Sequence, residues 1–262
     1  MTATNFSKIT LDTDADLFAE LSSATDFESV AKGRLGNHLV DVCDNGVPIV
    51  RTTTKYNMPA CHFLTIHRLI AGRIQATMTE IPVPDFNNAL IEVYDTDYTK
   101  MNYHSDQSLD LAEGSYIALF SCYEKPAALS EHQTRKLKIK NKVNGEESEL
   151  SLTHHSVILF SLDTNRQFQH KIVLDTVTGA KPPSAGNKWL GITFRTSKTY
   201  IQFKEGQPYF SGGQRLTLAD KEQETEFYKL RGEENRSLDF IYPELTYTVN
   251  AGDMMMPKNN SF

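Results

Sequence analysis

The sequence predicts a mainly β protein with flanking helices, a sandwich or jelly roll, and three observations carry that expectation. From residue 89 to about 203 the chain reads as short apolar or alternating runs bounded by turn residues: ALIEVY, YIALFSCY, RKLKIKNKV, ESELSLT, HSVILFSL, QHKIVLD, WLGITFRTS and TYIQF. So many strands in so short a span bury their apolar faces only by packing sheet on sheet or by closing one sheet on itself. Before them, NMPACHFLTIHRLIAGRI spaces Phe63, Ile66, Leu69, Ile70 and Ile74 by threes and fours after Pro59. That period predicts an amphipathic helix lying on one sheet.

Taken in order, residues 1 to about 50 mix short helical patterns with turns, and DADLFAELSSA places Leu17, Phe18 and Leu21 at helical spacing. Asn144-Gly145 is a strong hairpin signal. A two-residue turn centred there sets Lys142 opposite Glu147 and Lys140 opposite Glu149, so the lysines of RKLKIKNKV read as a solvated face neutralised across the strands. From residue 206 the composition shifts, and TLADKEQETEFYKLRGEE predicts a helix opened by Thr217 with Asp220 at the third position. The tail AGDMMMPKNNSF reads either as frayed or as a methionine cover for an apolar surface. The whole is expected to be one domain over residues 1–262. Within it, 1–88 is an N-terminal helical and cover segment, 89–203 the core, and 204–262 a C-terminal extension.

Charge and cysteine content narrow the function classes. Against 33 acidic residues stand 27 basic ones, a net charge of -6, which leaves no global footprint for a polyanion or an anionic membrane. Cys43, Cys61 and Cys122 form no C-x-x-C pair, so neither a disulfide framework nor a zinc ribbon is implied. The N-terminus lacks a charged segment followed by an apolar run, and nowhere is there the apolar stretch of roughly 18 residues that a membrane span needs. A cytoplasmic protein is the expectation.

One short stretch carries chemistry. KMNYHSDQSLDL holds the only His-x-Asp triplet of the chain, His104 and Asp106. On an extended segment, residues two apart share a face, so both side chains can reach one ion. An imidazole with a carboxylate, joined by a second histidine, is the ligand mix of non-haem Fe(II) sites that leave positions open. The candidate second histidine is His170 in LFSLDTNRQFQHKIVLD, 64 residues after Asp106. His62, His67, His154 and His155 read as structural. Taken singly, His104 and His170 could be strand histidines satisfied by carbonyls, and Arg195 could pair with an acid across the sheet.

Four words in order decide between these readings. FNNALIEVY, MNYHSD, NRQFQHKI and GITFRTS, spread over approximately residues 48–202, resemble the AlkB-like branch of the Fe(II)/2-oxoglutarate dioxygenases. The resemblance implies a double-stranded β-helix, with His104, Asp106 and His170 as iron ligands. It also implies 2-oxoglutarate as co-substrate, one of its carboxylates gripped by Arg195 and touched by the hydroxyl of Tyr94. A guanidinium fork suits that task, because it makes two parallel charge-assisted bonds that lysine cannot copy. Arg51 in PIVRTTTKY resembles the arginine that opens the family's substrate-covering segment. The implied reaction consumes O2 and 2-oxoglutarate, oxidises a C–H bond by hydroxylation or demethylation, and releases succinate and CO2. Acidic composition and paired lysines favour a small-molecule or amino-acid-derived substrate; the AlkB likeness favours alkylated nucleic acid. The rival outside the enzyme class is a jelly-roll binding protein.

The sequence departs from the family pattern at two positions. Glu92 stands where the family usually has Asn, two residues before the tyrosine, and Trp189 stands where it usually has an Arg, six before the one in TFR. Both lost groups would help hold the far carboxylate of 2-oxoglutarate. Lys188 is one candidate substitute; an Arg195–Ser197 pairing is another.

Overall fold

The structure, a computed structural model, describes residues 5–78, 85–99, 101–174 and 186–258. The IPVP stretch at 81–84 and the last four residues fall outside the described residues. In chain order the elements are β1 (Ser7–Thr10), α1 (Leu17–Ser23), β2 (Glu28–Ala31), β3 (Arg34–Val40), β4 (Val47–Pro48), β5 (Cys61–His62), α2 (Thr65–Ala76), β6 (Asn88–Tyr94), β7 (Tyr116–Tyr123), β8 (Lys136–Asn141) and β9 (Glu147–Ser151). They continue with β10 (Ser156–Ser161), α3 (Leu162–Gln167), β11 (Phe168–Val173), β12 (Trp189–Arg195), β13 (Tyr200–Lys204), β14 (Gln207–Phe210), β15 (Thr217–Leu218), α4 (Lys221–Arg236) and β16 (Tyr247–Thr248).

The strands form a jelly roll. A large sheet runs β1-β10-β7-β12-β6-β3-β2, antiparallel between these neighbours, with β5 parallel beside β3. A second, antiparallel sheet runs β11-β8-β9. Period-two alternation then decides what each face of the large sheet sees. Ala89, Ile91 and Val93 of β6 and Leu190, Ile192 and Phe194 of β12 join one core with α1 and α2, where Leu17, Leu21, Ile66, Ile70 and Ile74 are buried. The intervening Leu90, Glu92, Tyr94, Thr193 and Arg195 face the other way, into a cavity. Across that space Leu137 and Ile139 of β8 and Ile172 of β11 close a second core with Tyr94, Leu119, Phe160 and Trp189. Each fully buried Ile or Leu of these cores contributes roughly 1.5–3 kcal/mol.

Three local expectations are corrected. The N-terminal fifty residues carry strands as well as α1, and β3 lies inside the large sheet between β6 and β2. Buried polar residues mask it: Asn37 is fully buried and donates from Nδ2 to the carbonyls of Asp26, 2.7 Å, and Pro59, 3.3 Å. The β8–β9 hairpin turns over Lys142–Gly145 rather than over two residues, because Asn141 Oδ1 accepts from Val143 N, 2.8 Å, and Gly145 closes the turn at φ 74°. Lys140 therefore pairs with Glu147 and Lys138 with Glu149. The third correction is the cap of α4, which is Asp220 and not Thr217. Asp220 Oδ1 accepts from the backbone N–H of Glu222 and Gln223, 2.9 Å each, while Gln223 Oε1 accepts from Asp220 N, 3.0 Å. In the tail, Met254 packs on a small cluster with Ile49 and Ile201, whereas Met255 and Met256 are exposed. Among the described residues no helix is long and apolar enough to cross a membrane.

Candidate metal centre

The segment before β7 has few strand bonds of its own, so its neighbours fix it. His104 and His170 exchange backbone hydrogen bonds, His104 N to His170 O at 3.0 Å and His170 N to His104 O at 2.6 Å. Such a pair puts both side chains on one side, and the two rings sit 4.7 Å apart. Asn165 on α3 then pins Asp106 from both ends of its peptide: Oδ1 accepts from Asp106 N and Nδ2 donates to Asp106 O, both at 2.8 Å. From the far side α4 holds the same segment. Asn235 Oδ1 accepts from Ser105 N, 2.9 Å, Arg231 donates to Ser105 O, 2.5 Å, and Glu234 Oε1 accepts from both the N–H and the hydroxyl of Ser108.

These supports bring one ligand atom each from His104, Asp106 and His170 within 4.8 Å of one another. His104 Nδ1 lies 3.0 Å from the carbonyl of Asn102. Donation from Nδ1 to that carbonyl leaves Nε2 with its lone pair free for a metal. Nε2 of His170 faces Oδ1 of Asp106 at 3.5 Å, and its buried Nδ1 has no hydrogen-bond partner among the described residues. Burial, with the neighbouring His170 and Arg231, pushes His104 down to about 3, so its imidazole is neutral and able to ligate at neutral pH. Burial works against the charge of Asp106, but Arg195, His170 and His104 hold it well below the usual carboxylate range. Two imidazoles, that of His104 neutral, and one ionised carboxylate on a cavity wall fit Fe(II).

The cavity measures about 120 Å³, several times the roughly 10–15 Å³ that admits a water. Of the residues expected at the site, His104, Asp106, His170, Tyr94 and Arg195 line it. Arg195 points its fork at the ligand set itself, with Nε at 3.0 Å and Nη2 at 2.8 Å from Asp106 Oδ2. The Tyr94 hydroxyl donates to Glu92 Oε2 at 2.7 Å, and burial with the charge of Glu92 raises it well above the ordinary tyrosine value.

Three expected residues are not brought to the cavity. Arg51 is buried elsewhere, its fork on Asp110 and its Nη1 on the carbonyls of Leu245, 2.7 Å, and Tyr247, 3.1 Å. Ser197 braces a turn, donating to Ile49 O at 2.6 Å and accepting from Thr199 N. Lys188 is half exposed, 3.9 Å from Glu124. The side-chain direction of a strand residue near a sheet end cannot be read without its register, and burial of Arg51 depends on a partner 59 residues away.

Two arginines of the cavity escaped the sequence reading. Arg34 comes from β3, a strand that its buried polar residues hide, and Arg231 comes from a charged helix where one arginine looks like the next. Arg34 donates to Glu92 Oε1 from Nε at 2.6 Å and from Nη2 at 2.5 Å. Despite burial, Glu92 and the nearby tyrosines keep the guanidinium charged.

No protein-family model matches the chain, and no curated protein matches it in sequence. Solved structures do. The AlkB homologue OsALKBH1 superposes with a TM-score of 0.50 at 16% identity, over 75% of this chain and 100% of that one. A Pseudomonas putida prolyl-4-hydroxylase aligns with a TM-score of 0.41 at 13% identity, over 73% of this chain and 92% of that one. What the likeness to OsALKBH1 shows is the class of fold, a jelly roll. At this identity the likeness concerns the fold, and activity has to be argued from the site.

Proposed function

We propose that the protein is an Fe(II)- and 2-oxoglutarate-dependent oxygenase that oxidises a C–H bond of a small-molecule or amino-acid-derived substrate. The observation that carries this reading is the His104–Asp106–His170 cluster, three donors of the right kind within 4.8 Å, set in the wall of a jelly-roll cavity. Iron bound there supplies oxygen activation coupled to decarboxylation of 2-oxoglutarate to succinate and CO2.

The chain's own residues do the rest. Arg195 engages Asp106 Oδ2, which leaves Oδ1 turned towards His170 and presentable to a metal. Leu90, Leu119, Leu137, Phe160 and Ile172 give the cavity an apolar wall that limits water around the ligands. Thr52, Thr53 and Thr54 give the same wall a polar stretch, in which the Thr52 hydroxyl donates to Thr54 O at 3.1 Å. The substrate class is supported by charge: Lys138 and Lys140 face Glu149 and Glu147, and the net charge is -6, so the surface is poorly suited to a polyanion. The test is anaerobic loading with Fe(II), followed by iron stoichiometry and O2 uptake that depends on 2-oxoglutarate. Asp106→Ala is expected to lose both while keeping the wild-type circular dichroism spectrum. Wild-type iron affinity and turnover in that variant would overturn the assignment.

A further inference from the structure

An acid with two carboxylates that docks one end at the metal leaves the other to be met inside the cavity. Three guanidiniums line it: Arg34, Arg195 and Arg231. Arg195 is committed to Asp106, a metal ligand under the reading above, and Arg231 to Ser105 O, Asn235 and Glu234. Arg34 is placed differently. Glu92 Oε1 covers only its Nε–Nη2 edge, and Nη1 makes one long contact, 3.4 Å, with the Tyr98 hydroxyl. The Nη1–Nη2 edge remains for a second, bidentate carboxylate.

Register adds a second argument. Arg34 is directly opposite Tyr94 on one side and Trp189 is directly opposite it on the other, so the three share one rung and one face of the sheet. Trp189 is 1% exposed, its ring 4.8 Å from that of Tyr94 at a tilt of 41° and lying over Gly191, where a Cβ would run into it. The indole fills its side of the rung and brings no charge; Arg135, whose guanidinium also lies against the Tyr94 ring at 5.1 Å, is taken up by the carbonyls of Tyr98 and Asp95, so the guanidinium edge left open beside Tyr94 is that of Arg34. Glu92, on the same face, ties this together: one oxygen holds Arg34 and the other accepts from Tyr94, so guanidinium and hydroxyl are fixed side by side.

Building on the oxygenase reading, we propose that Arg34, oriented by Glu92 and flanked by Tyr94, anchors the distal carboxylate of 2-oxoglutarate. Arg195 then serves as a positioning residue for Asp106. The anchor has moved two strands, across Tyr94 on β6, from the position of Trp189 on β12 to β3.

The experiment compares two acids on Mn(II)-loaded protein by calorimetry: 2-oxoglutarate, and 2-oxobutanoate, which keeps the 2-oxo acid end and lacks the distal carboxylate. Wild-type protein is expected to bind 2-oxoglutarate more tightly. Arg34→Ala should weaken 2-oxoglutarate by about 10- to 100-fold, the size of a lost charge-assisted bidentate contact, and 2-oxobutanoate by less than about 2-fold. Arg34→Lys should fall between. If the alanine variant leaves Glu92 buried and does not fold, the pair Arg34→Met with Glu92→Gln removes both charges and carries the same comparison. Unchanged 2-oxoglutarate affinity, or equal loss for both acids, would overturn the inference, as would Arg195→Ala being the variant that loses the discrimination. A wild-type protein that binds Mn(II) but neither acid sinks the oxygenase reading and this inference with it; a failure confined to the Arg34 variants sinks the inference alone.

Discussion

Asp106 and Asp110 lie four residues apart in one segment, both are buried, and each is clasped by the fork of an arginine. Their surroundings separate them. Asp110 takes Arg51 Nη2 at 2.7 Å on Oδ1 and the Arg51 backbone N–H at 2.7 Å on Oδ2, while Arg51 Nη1 goes to the carbonyls of Leu245 and Tyr247. Every end of that pair is met by protein, and it ties the segment before the cavity to the strand that follows α4. Asp106 gives Arg195 one oxygen and turns the other towards two imidazoles and a cavity. The same pair of residue types is thus a staple where its hydrogen-bonding capacity is used up, and a candidate site where a ligating atom is left over.

The largest expected effect splits the two aspartates by readout. Asp110→Ala leaves the Arg51 guanidinium buried and unpaired, which costs roughly 3–5 kcal/mol of stability. Metal affinity of the molecules that remain folded should be unchanged. Asp106→Ala should lower metal affinity by more than about 100-fold, beyond the loss usual for a residue that merely orients a ligand. Its stability cost should be smaller, roughly 1–3 kcal/mol, because Arg195 borders a cavity that can hold water. Denaturant unfolding and metal titration of both variants check this. The contrast breaks if Asp110→Ala abolishes metal binding at full folding, or if Asp106→Ala is the more destabilised.

That contrast also marks where the sequence stops being informative. His104 and Asp106 were visible because two residues on one face is a local pattern, and His170 because it follows in a family order. The strands β6 to β13 were visible because apolar runs and turn residues are local too. Arg51 was equally visible as an arginine in a plausible place, but its role is fixed by Asp110, Leu245 and Tyr247, and no local pattern encodes such partners. Arg34 was hidden twice, by a strand whose buried Asn37 and His38 look like loop residues, and by the long-range register that sets it beside Tyr94. Glu92 and Trp189 stood out as departures, yet the arginine proposed to offset them stands on β3, next to β6 and two strands from β12, and becomes visible only when the sheet is assembled.

A second effect sharpens the contrast through pH. Asp253 is buried beside the staple, accepting from the Thr248 hydroxyl at 2.6 Å. Burial, opposed by that hydroxyl and reinforced by the charge of Asp110, pushes it up to about 6. A carboxyl raised in the folded state contributes stability that is full below its unfolded value near 4 and is lost as pH rises through about 6, on the order of 3 kcal/mol in all. Asp106 has the opposite sign: its value is lowered, so its contribution is present above the unfolded value and is lost only as pH falls well below it. Unfolding free energies of the metal-free protein between pH 4 and 8 should therefore fall for wild type relative to Asp253→Asn as pH rises, since asparagine keeps an acceptor for Thr248 without the charge. Parallel curves for the two proteins would mean that Asp253 stays neutral or solvated in the fold.

The smallest effects belong to pairs that burial does not touch. Lys140 and Glu147 lie 3.6 Å apart with about half of the glutamate exposed, and Lys138 reaches Glu149 only at 4.0 Å. Ion pairs of this kind contribute about 0–1 kcal/mol and are screened by salt, so Lys140→Ala should shift stability by less than about 0.5 kcal/mol, and by nothing measurable in 1 M salt. Lys142 is the exception within the same run. Its ammonium donates to the carbonyls of Glu234, 3.0 Å, and Ser237, 3.1 Å, at the C-terminal end of α4, and burial pulls it down to about 8. Lys142→Ala should cost about 1 kcal/mol, because two carbonyls at a helix end lose their donor. With its lysines occupied by glutamates and helix carbonyls, this face should bind DNA or RNA weakly, with an affinity that changes little between 50 and 200 mM salt, unlike a surface making many phosphate contacts. Tight binding at physiological salt that disappears in the Lys138, Lys140 and Lys142 alanine variants would show that the intramolecular pairs yield to phosphates, and would move the substrate reading towards nucleic acid.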